Sequence, residues 1–244
     1  MIGYMGSKSK YAPRISGFMW RYVSRNHLPV FDACCGSAAM AFYWGRPVTL
    51  VDAGPWGTFW NLVSQHKLKD FNFTFTKPME SYVYAWKNEM VPSRDDPMYA
   101  VRFLLLQMAA FNGKPVGDNL GMWQHPGVNP KACSKKKWEQ TWFLVKQLKR
   151  SIVEAVREDV HKYDFPPSNI YIDPDYEDTT GYDYTVKVGE FLEDNQDSNI
   201  FVSHHKEFPG LSWDYVYDIT HGTRAFSISN KEYLFVKHRK DFGS

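Results

Sequence analysis

The chain has 244 residues, of which 43% are hydrophobic and 23% are charged, and its formal net charge is +2. This length and composition are typical of one globular α/β domain with a small insertion, and they exclude a disordered or fibrous chain. The nearly balanced charge gives no global indication of nucleic-acid binding, so a DNA-binding face has to come from local clusters of basic residues.

Three cysteines, two of them adjacent, match neither a disulfide framework nor a zinc motif. The N-terminus lacks the apolar segment of a signal peptide, and no apolar run approaches the roughly 18 residues that a membrane span needs. We therefore expect a metal-free protein of the cytoplasm with no membrane association.

The first part of the chain has the pattern of a Rossmann-like unit. A helix is predicted over 12–25, and a short buried strand over 30–33 leads into CCGSA, a turn of small residues that opens another helix. A second apolar strand over 48–51 ends on Asp52. Strand, small-residue turn, helix, and a strand that ends on an acidic residue together predict the βαβ opening of this fold class.

The middle of the chain has a different pattern. Aromatic and polar residues alternate over 71–76, a strongly apolar helix is predicted over 99–111, and a stretch rich in Gly, Pro and Asn follows. This pattern predicts a small, mainly helical lobe with a long loop or hairpin, inserted at 67–136. The main domain is then formed by residues 1–66 and 137–244.

The last part of the chain returns to the pattern of the main domain. Apolar residues at helical spacing predict an amphipathic helix over 137–158. Strands are predicted over 169–173 and 200–203, and the tail 225–238 suggests a closing antiparallel pair.

Two segments have residue types that suit a nucleotide-like ligand. FDACCGSA places a tight turn at the carboxyl edge of the predicted sheet, where Asp52 can accept hydrogen bonds from ribose hydroxyls. GYMGSKSKY combines two glycines with Tyr4, which can stack on a flat ligand, and Lys8, which can pair with a carboxylate. Each segment has an ordinary structural alternative, a capped turn in the first and a solvated lysine pair in the second.

A third segment, NIYIDPDYEDTTGY, suits chemistry on an exocyclic amine. The amine of adenine is a poor nucleophile because its lone pair is delocalised into the ring. The carboxylate of Asp173 and the main-chain carbonyl of Pro174 can accept its two protons, and Tyr176 can stack on a flipped-out base. The structural alternative is an Asp-Pro turn beside a buried tyrosine.

In this order, the three segments resemble the Dam-like family of adenine-N6 DNA methyltransferases. The middle segment with Phe-Asn-Gly and the tail with Asn-x-Glu are also similar to that family, so the likeness covers nearly the whole chain. It implies a Rossmann-like S-adenosylmethionine-dependent methyltransferase with a DNA-recognition lobe at 67–136. The catalytic residues it implies are Asp173, Pro174 and Tyr176. The cofactor-binding residues it implies are Tyr4, Gly6, Lys8, Asp32, Cys34, Gly36, Asp52 and Asp173.

The resemblance also implies that double-stranded DNA lies across the lobe, where lysines suit phosphates and amides or rings suit base edges. The corresponding residues are Asn112, Lys114, Asn119, Trp123, Gln124, Lys135, Lys136 and Lys137. Lys146, Lys149 and Arg150 extend the basic patch on the helix that follows. A monomer or weak dimer in a bacterial or phage-infected cell is expected.

The chain departs from the family at two places. Asp175 gives DPDY where the family has a second proline. A second carboxylate beside Asp173 would raise one pKa of the pair, whereas an Asp175 that points to solvent or pairs with a cation would change little. In ACCGSA, Cys34 replaces an aromatic residue and Ala38 replaces a glycine. Two alternatives therefore stay open, a catalytically retired DNA-binding protein and a methyltransferase that acts on RNA or a modified base.

Overall fold

The computed structural model describes residues 8–71, 73–74, 76–86, 89–110, 116–120, 134–174, 186–220 and 231–240. These residues form an α/β fold around one mixed sheet. The strands are β1 (Val30–Ala33), β2 (Val48–Val51), β3 (Ile152–Val156), β4 (Asn169–Ile172), β5 (Asn199–His204), β6 (Tyr215–Asp218) and β7 (Tyr233–Lys237).

The order of the strands in the sheet is β3-β2-β1-β4-β5-β7-β6. The first five strands in this order run parallel, and β7 runs antiparallel to both β5 and β6. From β1 the chain builds outward to β2 and β3, and then crosses to β4 on the other side of β1. The order therefore reverses between β1 and β4, which opens a crevice at the carboxyl edge of these two strands. This mostly parallel sheet is compatible with a Rossmann-like fold.

Helices cover both faces of the sheet. They are α1 (Ala12–Val23), α2 (Ala39–Trp44), α3 (Pro55–Gln65), α4 (Met79–Trp86), α5 (Pro97–Ala109), α6 (Lys135–Lys149) and α7 (Val188–Asp194). Side chains alternate between the faces along each strand, so Tyr171 belongs to the buried cluster that includes residues of α1, α2, α3, α5 and α6, while Ile170 and Ile172 belong to the cluster that includes residues of α7. No helix in these ranges is long and apolar enough to cross a bilayer.

Helix α5 lies within the range assigned to the inserted lobe, yet it packs into the main core. The ring of Phe103 meets that of Trp56 edge-on at 4.9 Å between centroids, and it lies 5.8 Å from the ring of Phe59. The described parts of 67–136 contain helices and no strand. The domain boundary at residue 67 stays a prediction, but α5 belongs to the core that supports α3.

The helix predicted over 137–158 is wrong in its second half. Helix α6 ends at Lys149, and Ile152–Val156 form the edge strand β3 beside β2. Apolar residues at 152 and 156 fit helical spacing, but Ile, Val and Val in a five-residue segment also favour a strand. Pairing with β2, with the N–H of Val48 donating to the carbonyl of Ser151 at 2.9 Å, decides for the strand.

Lys149 connects the ends of two helices. Its ammonium donates to the carbonyls of Val63, Ser64 (3.0 Å) and His66 (2.9 Å) at the C-terminus of α3. Carbonyls in the last turn of a helix have no partner within the helix, and a cation there also interacts favourably with the helix dipole. Lys149 is therefore engaged in the fold and is a poor candidate for the phosphate contact expected from its place in the basic patch.

We expect Lys149→Met to lower the free energy of unfolding by about 1–3 kcal/mol, because three carbonyls are deprived of a charged donor. Lys146→Met, at an exposed position of the same helix, is the control and should change stability by less than about 0.5 kcal/mol. Urea unfolding followed by circular dichroism measures both. Equal stability of the two variants would contradict the capping role.

Candidate functional site

A cavity opens at the carboxyl ends of β1 and β4, where the strand order reverses. It takes up about 290 Å³, including open solvent at its mouth. Its walls bring together three segments that the sequence singles out: Lys8, the turn after β1, and Asp173 after β4. A crevice at this place in an open α/β sheet is where ligands bind in such folds.

The turn after β1 winds tightly beside the cavity. Cys34, Gly36 and Ala38 have φ angles of 60°, 46° and 54°, so three of five consecutive residues adopt the left-handed conformation. That conformation costs a residue with a Cβ atom on the order of 1 kcal/mol, a cost that glycine at the positions of Cys34 and Ala38 would avoid. The indole N–H of Trp60 donates to the carbonyl of Gly36 at 2.8 Å and fixes the turn on α3.

Asp52 holds the turn against the end of β2. Its Oδ2 accepts from the N–H of Gly36 and its Oδ1 accepts from the N–H of Gly54, each at 2.9 Å. A Cβ atom on Gly57 would lie 2.1 Å from the carbonyl oxygen of Asp52, so the first turn of α3 can approach this strand end only with glycine there. Asp52 thus shapes the turn, and its expected contact with a ribose stays a prediction.

Asp32 is a buried acid in the wall of the cavity. Its side chain is almost inaccessible to solvent, and its Oδ2 has no hydrogen-bond partner among the residues that the structure describes. Burial, followed by the charge of Asp173, raises the pKa of Asp32 well above its usual range, and the N–H of Ala41 offsets part of this. A buried acceptor without a partner is unfavourable, so Asp32 is suited to a donor or cation from a ligand.

Asp173 is held on one side of its carboxylate. Its Oδ1 lies 3.0 Å from the ammonium of Lys8 and accepts a hydrogen bond of 3.2 Å from the hydroxyl of Ser203. The hydroxyl of Tyr171 lies 2.7 Å from that of Ser203 and orients it. Contacts from described residues fall on Oδ1, so Oδ2 stays available to a ligand. Burial raises the pKa of Asp173, and Lys8 and Ser203 lower it in part.

The structure adds residues whose roles sequence reasoning missed. The ammonium of Lys8 lies 3.0 Å from a carboxylate oxygen of Glu232 as well as from Asp173. Glu232 belongs to the Asn-x-Glu element that the sequence revealed without indicating a role. Ser203 was predicted as the end of a strand, and the parallel register that pairs Ile172 with Val202 places it beside Asp173.

Other predicted site residues are located in part. Pro174 follows Asp173 and is buried. Of the predicted DNA contacts, Asn119, Lys135, Lys136 and Lys137 are exposed, as contact with a partner requires. Tyr4, Gly6, Asn112, Lys114, Trp123, Gln124 and Tyr176 lie outside the described residues, as does Asp175.

An arginine network joins the segment of Asn119 to the edge of the sheet. Nη2 of Arg157, just after β3, lies 2.7 Å from both carboxylate oxygens of Asp118. The same guanidinium donates to the carbonyl of Ala53 at 3.1 Å and to the hydroxyl of Thr58 at 2.8 Å. Hydrogen bonds between a guanidinium and a carboxylate are stronger than those between neutral groups. The segment 116–120 is therefore fixed to the loop that follows Asp52.

No protein-family model matches the sequence, and no curated protein matches it. The residues in the described ranges contain no group of His, Cys, Asp and Glu side chains that could hold a metal ion. A function for the chain therefore has to be argued from the geometry of the cavity.

The raised pKa of Asp32 predicts a pH-dependent stability. Between the ordinary aspartate pKa of about 4 and the raised pKa of the folded state, the folded protein binds more protons than the unfolded one, so stability falls as pH rises. Asp32→Asn removes this effect. We therefore expect the free energy of unfolding of Asp32→Asn, relative to the unsubstituted protein, to increase from pH 4 to pH 8.

Urea unfolding at pH 4, 6 and 8 tests this expectation. Asp164→Asn, at an exposed aspartate outside the cavity, is the control with which Asp32→Asn is compared at each pH. A difference for Asp32→Asn that does not depend on pH would mean that Asp32 is ionised in the folded protein.

Proposed function

We propose that this protein is an S-adenosylmethionine-dependent methyltransferase that acts on the N6 amine of adenine in a base flipped out of DNA. The observation that carries the proposal is the cavity at the point of strand reversal. It combines the left-handed turn after β1, the buried carboxylate of Asp32 and the Asp173-Pro174 end of β4.

The acidic wall of the cavity fits this cofactor. Asp32 offers a buried oxygen that no described residue contacts by a hydrogen bond, and a positively charged group of S-adenosylmethionine beside it would lower its raised pKa and favour its ionised form. Cys34 and Gly36 line the same wall, and Asp52 fixes the turn that carries them. When bound, the cofactor supplies a methyl group already activated on a sulfonium, so the protein has mainly to position the acceptor.

Asp173 and Pro174 are suited to hold the acceptor amine. With Oδ1 of Asp173 held by Lys8 and Ser203, Oδ2 can accept one amine proton, and the carbonyl of Pro174 can accept the other. Two accepted hydrogen bonds draw the nitrogen toward a tetrahedral shape and localise its lone pair. The raised pKa of Asp173 also makes its carboxylate a better proton acceptor than an ordinary aspartate. Besides the cofactor binding expected of it, Lys8 thus has a second role, which is to hold Asp173 through an ion pair.

The lysines at the start of α6 support an anionic partner. Lys135, Lys136 and Lys137 occupy the first turn, where Ser134 caps the helix by accepting from the N–H of Lys137 at 3.2 Å. Cations at the N-terminus of a helix are unfavourable because the helix dipole is positive there. Contact with phosphate groups would offset this repulsion, which favours nucleic acid as the partner.

The reaction is tested directly by mass spectrometry. Protein is incubated with S-adenosylmethionine and unmethylated genomic DNA, the DNA is digested to nucleosides, and N6-methyladenine is quantified. We expect methylation by the unsubstituted protein and a decrease of about 100-fold or more in Asp173→Ala, because one of two acceptors for the amine is removed. Asp164→Ala, at an exposed position outside the cavity, should keep full activity.

Undiminished methylation by Asp173→Ala would reject the assigned role of Asp173. Folded protein without methylation of DNA or RNA, and without saturable cofactor binding, would show a retired scaffold. Methylation of RNA in preference to duplex DNA would keep the chemistry and change the acceptor.

DNA binding by α6 predicts a change in salt dependence. Replacing Lys135, Lys136 and Lys137 by alanine should weaken binding to duplex DNA and reduce the slope of log K against log salt by up to about 0.9 for each phosphate that is no longer neutralised. Replacing the exposed Lys162, Lys187 and Lys240 removes the same charge elsewhere and is the control. Equal slopes for the two triple variants, measured by fluorescence anisotropy, would exclude α6 as the contact surface.

A further inference from the structure

Glu232 is buried next to Lys8, and its backbone is fixed by hydrogen bonds. It precedes β7, its carbonyl accepts from the N–H of Ile219 at 2.9 Å, and its N–H donates to the hydroxyl of Thr220 at 3.0 Å. Its side chain is 5% exposed. The backbone N–H and carbonyl of Glu232 are therefore both hydrogen-bonded, and its side chain is shielded from water.

The group around Lys8 contains more negative charge than an ion pair needs. One ammonium lies 3.0 Å from Asp173 and 3.0 Å from Glu232, and all three side chains are largely buried. A buried ion pair barely compensates its own desolvation, and an additional buried carboxylate adds a further cost. One acid would be enough to neutralise Lys8 in the folded protein. The second acid adds a cost to stability, which indicates that it serves the function of the site.

We propose that Glu232 is a positioning residue for the methyl-transfer reaction, and that it shares the Lys8 ammonium so that Asp173 is oriented by this cation without being neutralised by it. This inference rests on the proposed function. Lys8 fixes Oδ1 of Asp173, while Glu232 takes up part of the attraction of the ammonium. Oδ2 of Asp173 then keeps the negative charge that accepts an amine proton.

The other groups that face Asp173 do not replace Glu232 in this role. From β4 and β5, Tyr171 and Ser203 contribute hydroxyl groups, which orient the carboxylate without adding charge. From β1, Asp32 adds a further acid, whose pKa burial raises well above the usual range. His204, at the end of β5, has its pKa lowered by burial and by the nearby cations, including Lys8, so it is neutral at physiological pH. Among the described residues, Lys8 is the cation that contacts Asp173.

Glu232→Gln tests the inference, because it keeps the size of the side chain and removes its charge. With Glu232 neutral, Asp173 no longer shares the Lys8 ammonium with this second carboxylate, and the pKa of Asp173 should fall. We expect the acid limb of kcat against pH to move by about one pH unit toward lower pH and the plateau to fall by about 3- to 10-fold. The KM for S-adenosylmethionine should stay within about twofold. Glu193→Gln, at an exposed position of α7, should change none of these quantities.

A second measurement does not depend on activity. The pKa of Asp173 is read from the ¹³C chemical shift of its carboxyl group in an NMR titration, which needs only folded protein. Glu232→Gln should lower this pKa. The double variant Lys8→Met with Glu232→Gln removes the pair as a unit, and it should raise the pKa of Asp173 above that of the unsubstituted protein because the stabilising cation is removed.

The two variants are expected to shift the pKa of Asp173 in opposite directions, and the results distinguish the following cases. An unchanged Asp173 titration in Glu232→Gln would overturn the inference and leave Glu232 a structural residue. The expected shifts in a protein that methylates nothing would support the sharing of Lys8 and reject the proposed function. If Glu232→Gln does not fold, Glu232→Asp carries the test, because it keeps the charge and shortens the reach toward Lys8; an Asp173 titration that does not move to lower pH there would overturn the inference.

Discussion

The ammonium of Lys8 is the contact on which the candidate site depends. It lies 3.0 Å from both Asp173 and Glu232, and so it joins the segment before α1 to the end of β4 and to the start of β7. Without this cation, two buried carboxylates would face each other uncompensated, a situation that costs about 3–5 kcal/mol when a buried pair is broken. Lys8 therefore compensates the two carboxylates where the three segments meet, and its pair with Asp173 forms part of the cavity wall.

The turn after β1, which also lines the cavity, is held by a carboxylate that accepts hydrogen bonds from backbone N–H groups. Asp52 has no cation in contact with its side chain in the described part of the chain, and it uses both oxygens to accept from the N–H groups of Gly36 and Gly54. In this way the end of β2 fixes the left-handed turn that follows β1. One wall is thus held by an ion pair between distant segments and the other by local hydrogen bonds. Both lie at the edge where the parallel strands β1 and β4 end, because the strand order reverses there.

Features that depend on residues close together in the sequence could be predicted, whereas contacts between distant residues could not. The elements β1, α2 and β2 were predicted with their bounds nearly correct, because short apolar strands and a small-residue turn are local patterns. Ile152 and Val156 were assigned to a helix, because their spacing fits both structures and only pairing with β2 decides. An antiparallel pair was expected within 225–238; β7 lies there, but β6, which pairs with it, lies earlier at Tyr215–Asp218. The contact of Glu232 with a residue more than 200 positions earlier has no local signal. Asp32 and Asp173 were selected for their chemistry, while the partners that hold Asp173 became visible only in three dimensions.

The arrangement of charge also explains why the composition says so little about function. Asp32 and Asp173 line the cavity and have pKa values raised by burial, so ionised carboxylates are unfavourable in this part of the fold. The first turn of α6 concentrates positive charge at the end of a helix where it is unfavourable. These two regions nearly cancel in the net charge, yet each is locally unbalanced and suited to a partner of the opposite sign. The proposed cofactor is a cation and the proposed substrate is a polyanion, so each would meet a region of the opposite charge.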